Sequence, residues 1–218
     1  MSLIIDVPYA EKNEAKSLGA KWNQNLKKWY VEERNNYYKF EKWILGNKEN
    51  VSILCDYFYI VEGIHICFKC HKPTKVIGFG VKNFFEIYDS NEYGNEENFI
   101  YYNDNIHIAS NIEPLSKDLL DKLKEKYNYY KSYSKTVNNS YLANHCTNCK
   151  VIQGDFFLFG EVDSPFCIDS IEKAKKLKLY KIPLKNDLIV DLSLGWGSTD
   201  YMIDECAQKF EFKYKLNI

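Results

Sequence analysis

Cys67-Phe68-Lys69-Cys70-His71 and Cys146-Thr147-Asn148-Cys149-Lys150 decide how this chain is read. Four thiolates arriving as two tight pairs are the donor set of a closed, tetrahedral structural zinc site. Two intervening residues let the backbone turn so that both sulfurs of a pair face one ion. The stretch 71–145 separates the pairs, so one shared ion would tie together hairpins remote in sequence. Ile64-His65-Ile66 alternates into the first pair, and Lys72-Pro73-Thr74 leads out of it towards Val76-Ile77-Gly78-Phe79. That setting predicts a knuckle between two strands, whereas a thioredoxin-like redox pair opens a helix. Seven cysteines, an odd number, and no signal peptide ahead of them point to a reducing compartment. One zinc ion on Cys67, Cys70, Cys146 and Cys149 is the expectation. Separate sites, a bridge between chains and pairs that bind nothing are its alternatives. His71 and His145 flank the pairs as bystanders that could substitute as ligands, and Cys55, Cys167 and Cys206 read as small core residues.

Outward from the second pair, residues 141–145 read as the strand that enters it and 151–159 as the strand that returns. Between the pairs, 76–88 reads as a strand pair and 89–98 as a polar loop. A helix then starts at the cap Ser116, with Leu119, Leu120 and Leu123 at helical spacing, and ends near Tyr130. Beyond Pro165 the pattern predicts a basic helix over 169–179, a strand over 188–194, a helix over 199–209 and a last strand over 210–214. The two hairpins around the cysteines resemble a split zinc ribbon carrying a large insertion. Many ribbons place glycine just after each pair; His71 and Lys150 hold those places here.

The first fifty residues are a unit of another kind. The pattern predicts a strand over 3–5, a helix over 10–18 stopped by Gly19, a turn at Asn23-Gln24-Asn25, a strand over 28–31 and a helix over 35–45. Val7-Pro8-Tyr9-Ala10-Glu11-Lys12, Ala15-Lys16-Ser17-Leu18-Gly19-Ala20-Lys21-Trp22 and Lys27-Lys28-Trp29-Tyr30-Val31 resemble a small domain of unknown function, number 5710 of its series. That domain occurs in bacterial and plasmid proteins, some with primase-type or other DNA-processing modules. More distantly the segment resembles the small helix-and-strand domain beside annealing helicases. The resemblance covers residues 3–44, implies a setting in DNA processing and fixes no catalytic residue. Where the family usually has Asp after the first Trp, Asn23 stands here. The whole chain reads as α+β: a small βαββα-like, Trp-rich module over 1–48, then a mainly antiparallel α+β domain over 51–218 built on a zinc ribbon with its insertion at 71–145.

Composition narrows the function classes. Thirty-five aromatics in 218 residues supply a substantial core, and no apolar run reaches the length of a membrane span. A soluble, cytoplasmic protein of a bacterium or phage is expected. The net charge is −1, but residues 1–50 carry +2, 51–115 carry −5, 116–150 carry +4 and the remainder −2. The module interleaves Lys12, Lys16, Lys21, Lys27 and Lys28 with Trp22 and Trp29, raw material for contacts to phosphates and bases. The bland reading makes Trp29 and Trp43 core and the lysines a solvated rim, with Trp22 open. Lys69, Lys72 and Lys150 are placed to offset the charge of the thiolates. Asp155, Glu161 and Asp163 would form a divalent-metal nuclease cluster if one strand face gathered them. No phosphate loop or nucleophile signature accompanies them. These observations favour a non-enzymatic, zinc-binding, nucleic-acid-binding accessory of DNA metabolism over a protein-binding adaptor and over a nuclease.

Overall fold

Strands dominate the molecule and helices are short. The computed structural model describes residues 1–46, 51–88 and 96–213. Residues 47–50 and 89–95, on which the expected linker and most of the polar loop fall, lie outside the described residues. Two compact units are formed, each from three separate stretches of chain: Met1–Phe58, Lys82–Asp104 and Pro183–Leu192 in one, Tyr59–Val81, Asn105–Ile182 and Ser193–Ile218 in the other.

In the first unit, Pro8 sets up a tight turn at Tyr9–Glu11 that runs into the helix Lys12–Ser17. Gly19, at φ +103°, ends it in a conformation few other residues adopt. Lys21–Asn23 and Lys28–Val31 form a hairpin whose turn is held by Asn23: its Oδ1 accepts the N–H groups of Asn25 and Leu26, both at 3.0 Å. Leu3–Ile5 pairs with the other edge of Lys28–Val31, antiparallel, and puts Ile5, Trp29 and Trp22 in one row across the sheet. A second antiparallel set orders Leu188–Leu194, Val51–Leu54, Phe84–Ile87 and Phe99–Tyr102. Leu3, Ile5, Val31, Tyr37 and Phe40 share one core with Val51, Ile53, Phe85 and Ile87. The segment expected as a module over 1–48 thus shares its core with strands that follow it in the chain.

That unit is laced by charge as well. Arg34 forks onto Asp187, with Nε and Nη2 at 2.7 and 2.8 Å, and onto Asp56, with Nη2 and Nη1 at 2.7 and 3.2 Å. Tyr37 donates its hydroxyl to Asp187 at 2.9 Å. Asp187 is buried, and its bidentate pair with Arg34 and the Tyr37 hydroxyl satisfy it.

In the second unit, Gln208–Glu211, Lys178–Pro183, Tyr57–Ile66, Pro73–Val81 and His107–Glu113 are neighbours in that order; Gln208–Glu211 runs parallel to Lys178–Pro183. The helix Lys117–Tyr127 is capped by Ser116 Oγ, which accepts from Leu119 N at 3.3 Å, and it buries Leu119, Leu123 and Tyr127. It stops at Asn128, φ +54°, short of the expected end, because Tyr129–Ser134 is already a strand. That strand pairs with Asn139–His145, which pairs with Ile152–Gln153. The returning strand expected over 151–159 is only those two residues long; Phe156–Gly160 winds into a wide helical turn instead. The basic helix expected over 169–179 shrinks to Ile171–Ala174, since the chain from Lys178 is drawn into the sheet.

Candidate metal centre

The two Cys-containing turns have the same construction. Cys67 N–H donates to Lys72 O at 3.0 Å and Cys146 N–H to Val151 O at 2.9 Å; His71 N–H donates back to Cys67 O and Lys150 N–H back to Cys146 O. Closing each loop forces the residue after the second cysteine into the left-handed region, φ +54° at His71 and +61° at Lys150. Those are the positions where a ribbon commonly carries glycine, so the departure noted in the sequence changes the residue and leaves the turn intact.

Side chains bring the turns together across the long insertion. Asn144, fully buried, accepts from Ile77 N at 2.8 Å and donates to Ile77 O at 2.9 Å, so its amide completes the pairing that a strand would provide. Thr147 N–H donates to Thr74 Oγ1 at 2.9 Å, and Asn148 Nδ2 to Pro73 O at 3.3 Å. The four sulfurs consequently converge. Cys67 and Cys149 Sγ are 3.6 Å apart, Cys70 and Cys146 Sγ 3.7 Å, and all four lie within 4.8 Å of one another. Four sulfurs at about 2.3 Å from a tetrahedral ion sit about 3.8 Å apart, so this set fits one metal ion. All seven cysteines are free of disulfides.

The environment favours thiolate where the donors point. Burial pushes the Cys146 thiol up, but the N–H groups of Cys149 and Asn148 and the neighbouring thiols outweigh it and bring it down to about 6. Those amides lie 3.5 and 3.4 Å from its Sγ. Cys70 goes the other way, to about 11: the Lys72 N–H favours its thiolate, yet burial and the neighbouring sulfurs prevail. A cation held among the sulfurs would favour the thiolate form that metal ligation requires. Gln153, also buried, aims Nε2 at Cys67 Sγ from 3.6 Å and at Val151 O from 3.0 Å. The sequence reading missed this residue, because a Gln just past a Cys pair carries no spacing signal.

His145 is committed elsewhere: Nε2 meets Ser132 Oγ at 2.8 Å, Nδ1 meets Ala143 O at 2.9 Å, and the ring stacks on Tyr130 at 3.8 Å. Neither it nor His71 belongs to the converging set. Lys150 turns its ammonium onto Thr147 O and Asn128 Oδ1, at 3.1 and 3.2 Å. Asp155, Glu161 and Asp163 are not gathered into a site. Among the described residues the four cysteines alone form a set of three or more potential ligands. The reason is the lost strand: beyond Gln153 the chain coils, leaving Glu161 and Asp163 exposed and Asp155 half-buried, its carboxyl raised to about 6 by burial.

In the first unit Trp22 is exposed, edge-on to Trp29 at 5.5 Å, while Trp43 is buried and gives its indole N–H to Glu11. Lys21 pairs with Glu32 at 2.5 Å, Lys28 pairs with Asp6, and Lys12 lies over the Tyr9 ring at 3.7 Å. Lys16 and Lys27 are exposed. A cavity of about 210 Å³ on the outer face of the small sheet is lined by Ile4, Leu26, Lys28 and Tyr30 among others. No helix among the described residues is long and apolar enough to cross a membrane.

Residues 3–44 match the family described as a domain of unknown function, DUF5710. A segment of 42 residues is 50% identical to DNA primase TraC of Escherichia coli, which is 19% of this chain and 3% of the primase. No solved structure matches the chain.

Proposed function

We propose that this protein is a zinc-stabilised, non-enzymatic accessory of DNA metabolism that binds nucleic acid. The observation that carries the reading is the 42-residue likeness to a DNA primase, in a chain whose second unit converges four sulfurs to the spacing of a tetrahedral ion. A four-cysteine set fills every coordination position, so the metal, one zinc ion per chain, stabilises the hairpins and activates no water. In this reading residues 3–44 act as a βαββα module, and the split ribbon carries the insertion 71–145. Lys12, Lys16, Lys21, Lys27 and Lys28, with exposed Trp22, are one nucleic-acid contact surface. Their partners Glu32 and Asp6 are solvated, and such pairs are weak enough for phosphates to displace. The scattered positions of Asp155, Glu161 and Asp163 give a nuclease no support.

The test is elemental analysis joined to a salt-titrated binding assay against single- and double-stranded DNA and RNA. One zinc per chain is expected, together with nucleic-acid binding whose log affinity falls linearly as log salt rises. Absence of zinc would overturn the structural role of the cysteines. Binding that ignored salt, or that survived Lys27→Glu with Lys28→Glu and also Trp22→Ala, would overturn the N-terminal contact surface. No binding at any salt would favour the protein-binding adaptor.

A further inference from the structure

We infer that single-stranded nucleic acid is also held on the second unit, with a base stacked on Phe210, which Tyr180 backs, and its phosphates met by Lys126, Lys178 and Lys213. The inference rests on the nucleic-acid reading above and adds a site to it.

Parallel pairing sets Tyr180 of Lys178–Pro183 directly opposite Phe210 of Gln208–Glu211, and the rings stack at 5.4 Å, 26° from parallel. Phe210 lies on a strand at the border of its sheet and is 42% exposed. Lys126, from the last turn of the helix Lys117–Tyr127, lays Nζ over the Tyr180 ring at 4.0 Å and over the Tyr127 ring at 4.8 Å. Together with Glu211, Phe212 and Lys213 these residues line a cavity of about 340 Å³, within the size range of small-ligand sites. Glu211 is the only acid among the described residues of that lining.

The cations of this face differ from those of the N-terminal module, where Lys21 and Lys28 have carboxylate partners. Lys126 makes no ion pair among the described residues. Burial, the largest influence, lowers its pKa; Glu62 opposes that shift, and Lys75 and Lys178 add to it. Glu62 itself is buried and already accepts the Tyr127 hydroxyl at 3.0 Å and faces the Lys75 ammonium at 3.5 Å. A partly desolvated ammonium crowded by like charge gains most from an added anion, and it stands beside an aromatic pair whose Phe210 ring is exposed. Phosphates beside flat unpaired rings are what single strands offer and duplexes bury.

The experiment measures fluorescence anisotropy of the full-length, zinc-loaded protein with a labelled oligothymidine of about 12 nucleotides, within the site sizes such folds cover. Phe210→Ala should weaken binding at least about fivefold, the low end for losing one base–aromatic stack. Lys126→Gln should weaken it and reduce the salt slope by about 0.7, the value for one phosphate of a single strand. Zinc content and circular dichroism check that each variant folds, and Lys126→Gln decides alone if Phe210→Ala does not. Wild-type binding that both variants retain in full would overturn this site and leave the nucleic-acid reading standing. A wild-type protein that binds no oligonucleotide would overturn that reading and the site with it.

Discussion

Arg34 is the one arginine among 29 basic residues, and it stands where two carboxylates must be gripped at once. A guanidinium offers a planar fork to each of them, which the point charge of a lysine does not. Arg34→Met should therefore destabilise the protein by about 3 kcal/mol, at the low end for breaking a buried pair, because the Asp56 arm is partly solvated. Arg34→Lys should recover only part of that loss in urea denaturation. The network also fixes a sign for pH. The Arg34 hydrogen bond holds the Asp56 carboxyl below the usual carboxylate range, against the opposing effect of burial. Its contribution is complete above the unfolded value of about 4 and disappears as pH falls through the depressed folded value. The gap in urea midpoint between wild type and Arg34→Met should therefore narrow from about pH 6 to pH 3, and a constant gap would count against the Asp56 arm. None of this was legible in the sequence. Asp56 and Asp187 are 22 and 153 positions away, and no spacing rule joins a lone arginine to such distant acids.

At the scale of the element, the two cysteine turns show why some local structure was readable. A Cys-x-x-Cys turn is specified within six residues, so its backbone bonds and its left-handed fifth position follow from the spacing alone. His71→Gly should leave stability unchanged or raise it by up to about 1 kcal/mol, because glycine takes positive φ without the steric penalty other residues bear there. The same change inside a strand would cost about 0.5–1 kcal/mol, so a thermal melt distinguishes the two cases. The strand returning from the second turn was misread, because an apolar run such as 156–159 suits a strand or a coiled turn equally. The clamp by Asn144 was invisible for a different reason: its partner Ile77 lies 67 residues earlier. Asn144→Ala should leave the amide and carbonyl of Ile77 buried and unpaired, at a cost of about 2 kcal/mol. It should also loosen metal retention in a chelator competition, since Asn144 helps hold one pair of cysteines against the other. Unchanged chelator resistance would show that the sulfurs alone set the site.

At the scale of the whole molecule, each unit is assembled from three stretches that alternate along the chain, so no contiguous fragment contains either one alone. Local reading of sequence finds turns, caps and paired cysteines, but it does not report that 183–192 completes the unit begun by residue 1. A 42-residue likeness to a small part of a primase argues for a module that folds by itself, and three tryptophans look like core enough. The packing argues otherwise. Val51, Ile53, Phe85 and Ile87 cover the faces of Leu3, Ile5, Val31 and Phe40, and Asp187 answers both Arg34 and Tyr37. A peptide of residues 1–48 would expose those apolar faces and leave Arg34 without either acid. It should show no cooperative thermal transition by circular dichroism, while the full chain melts cooperatively. Domains below about 40–60 residues seldom close a core without a metal, a disulfide or a partner, and this module has none of its own cysteines. A sharp melt in the isolated peptide, with Trp29 fluorescence shifted as in the full chain, would mean that the shared core is an addition to a self-sufficient fold. The likeness at residues 3–44 would then mark a portable domain whose ligand can be sought on the peptide alone.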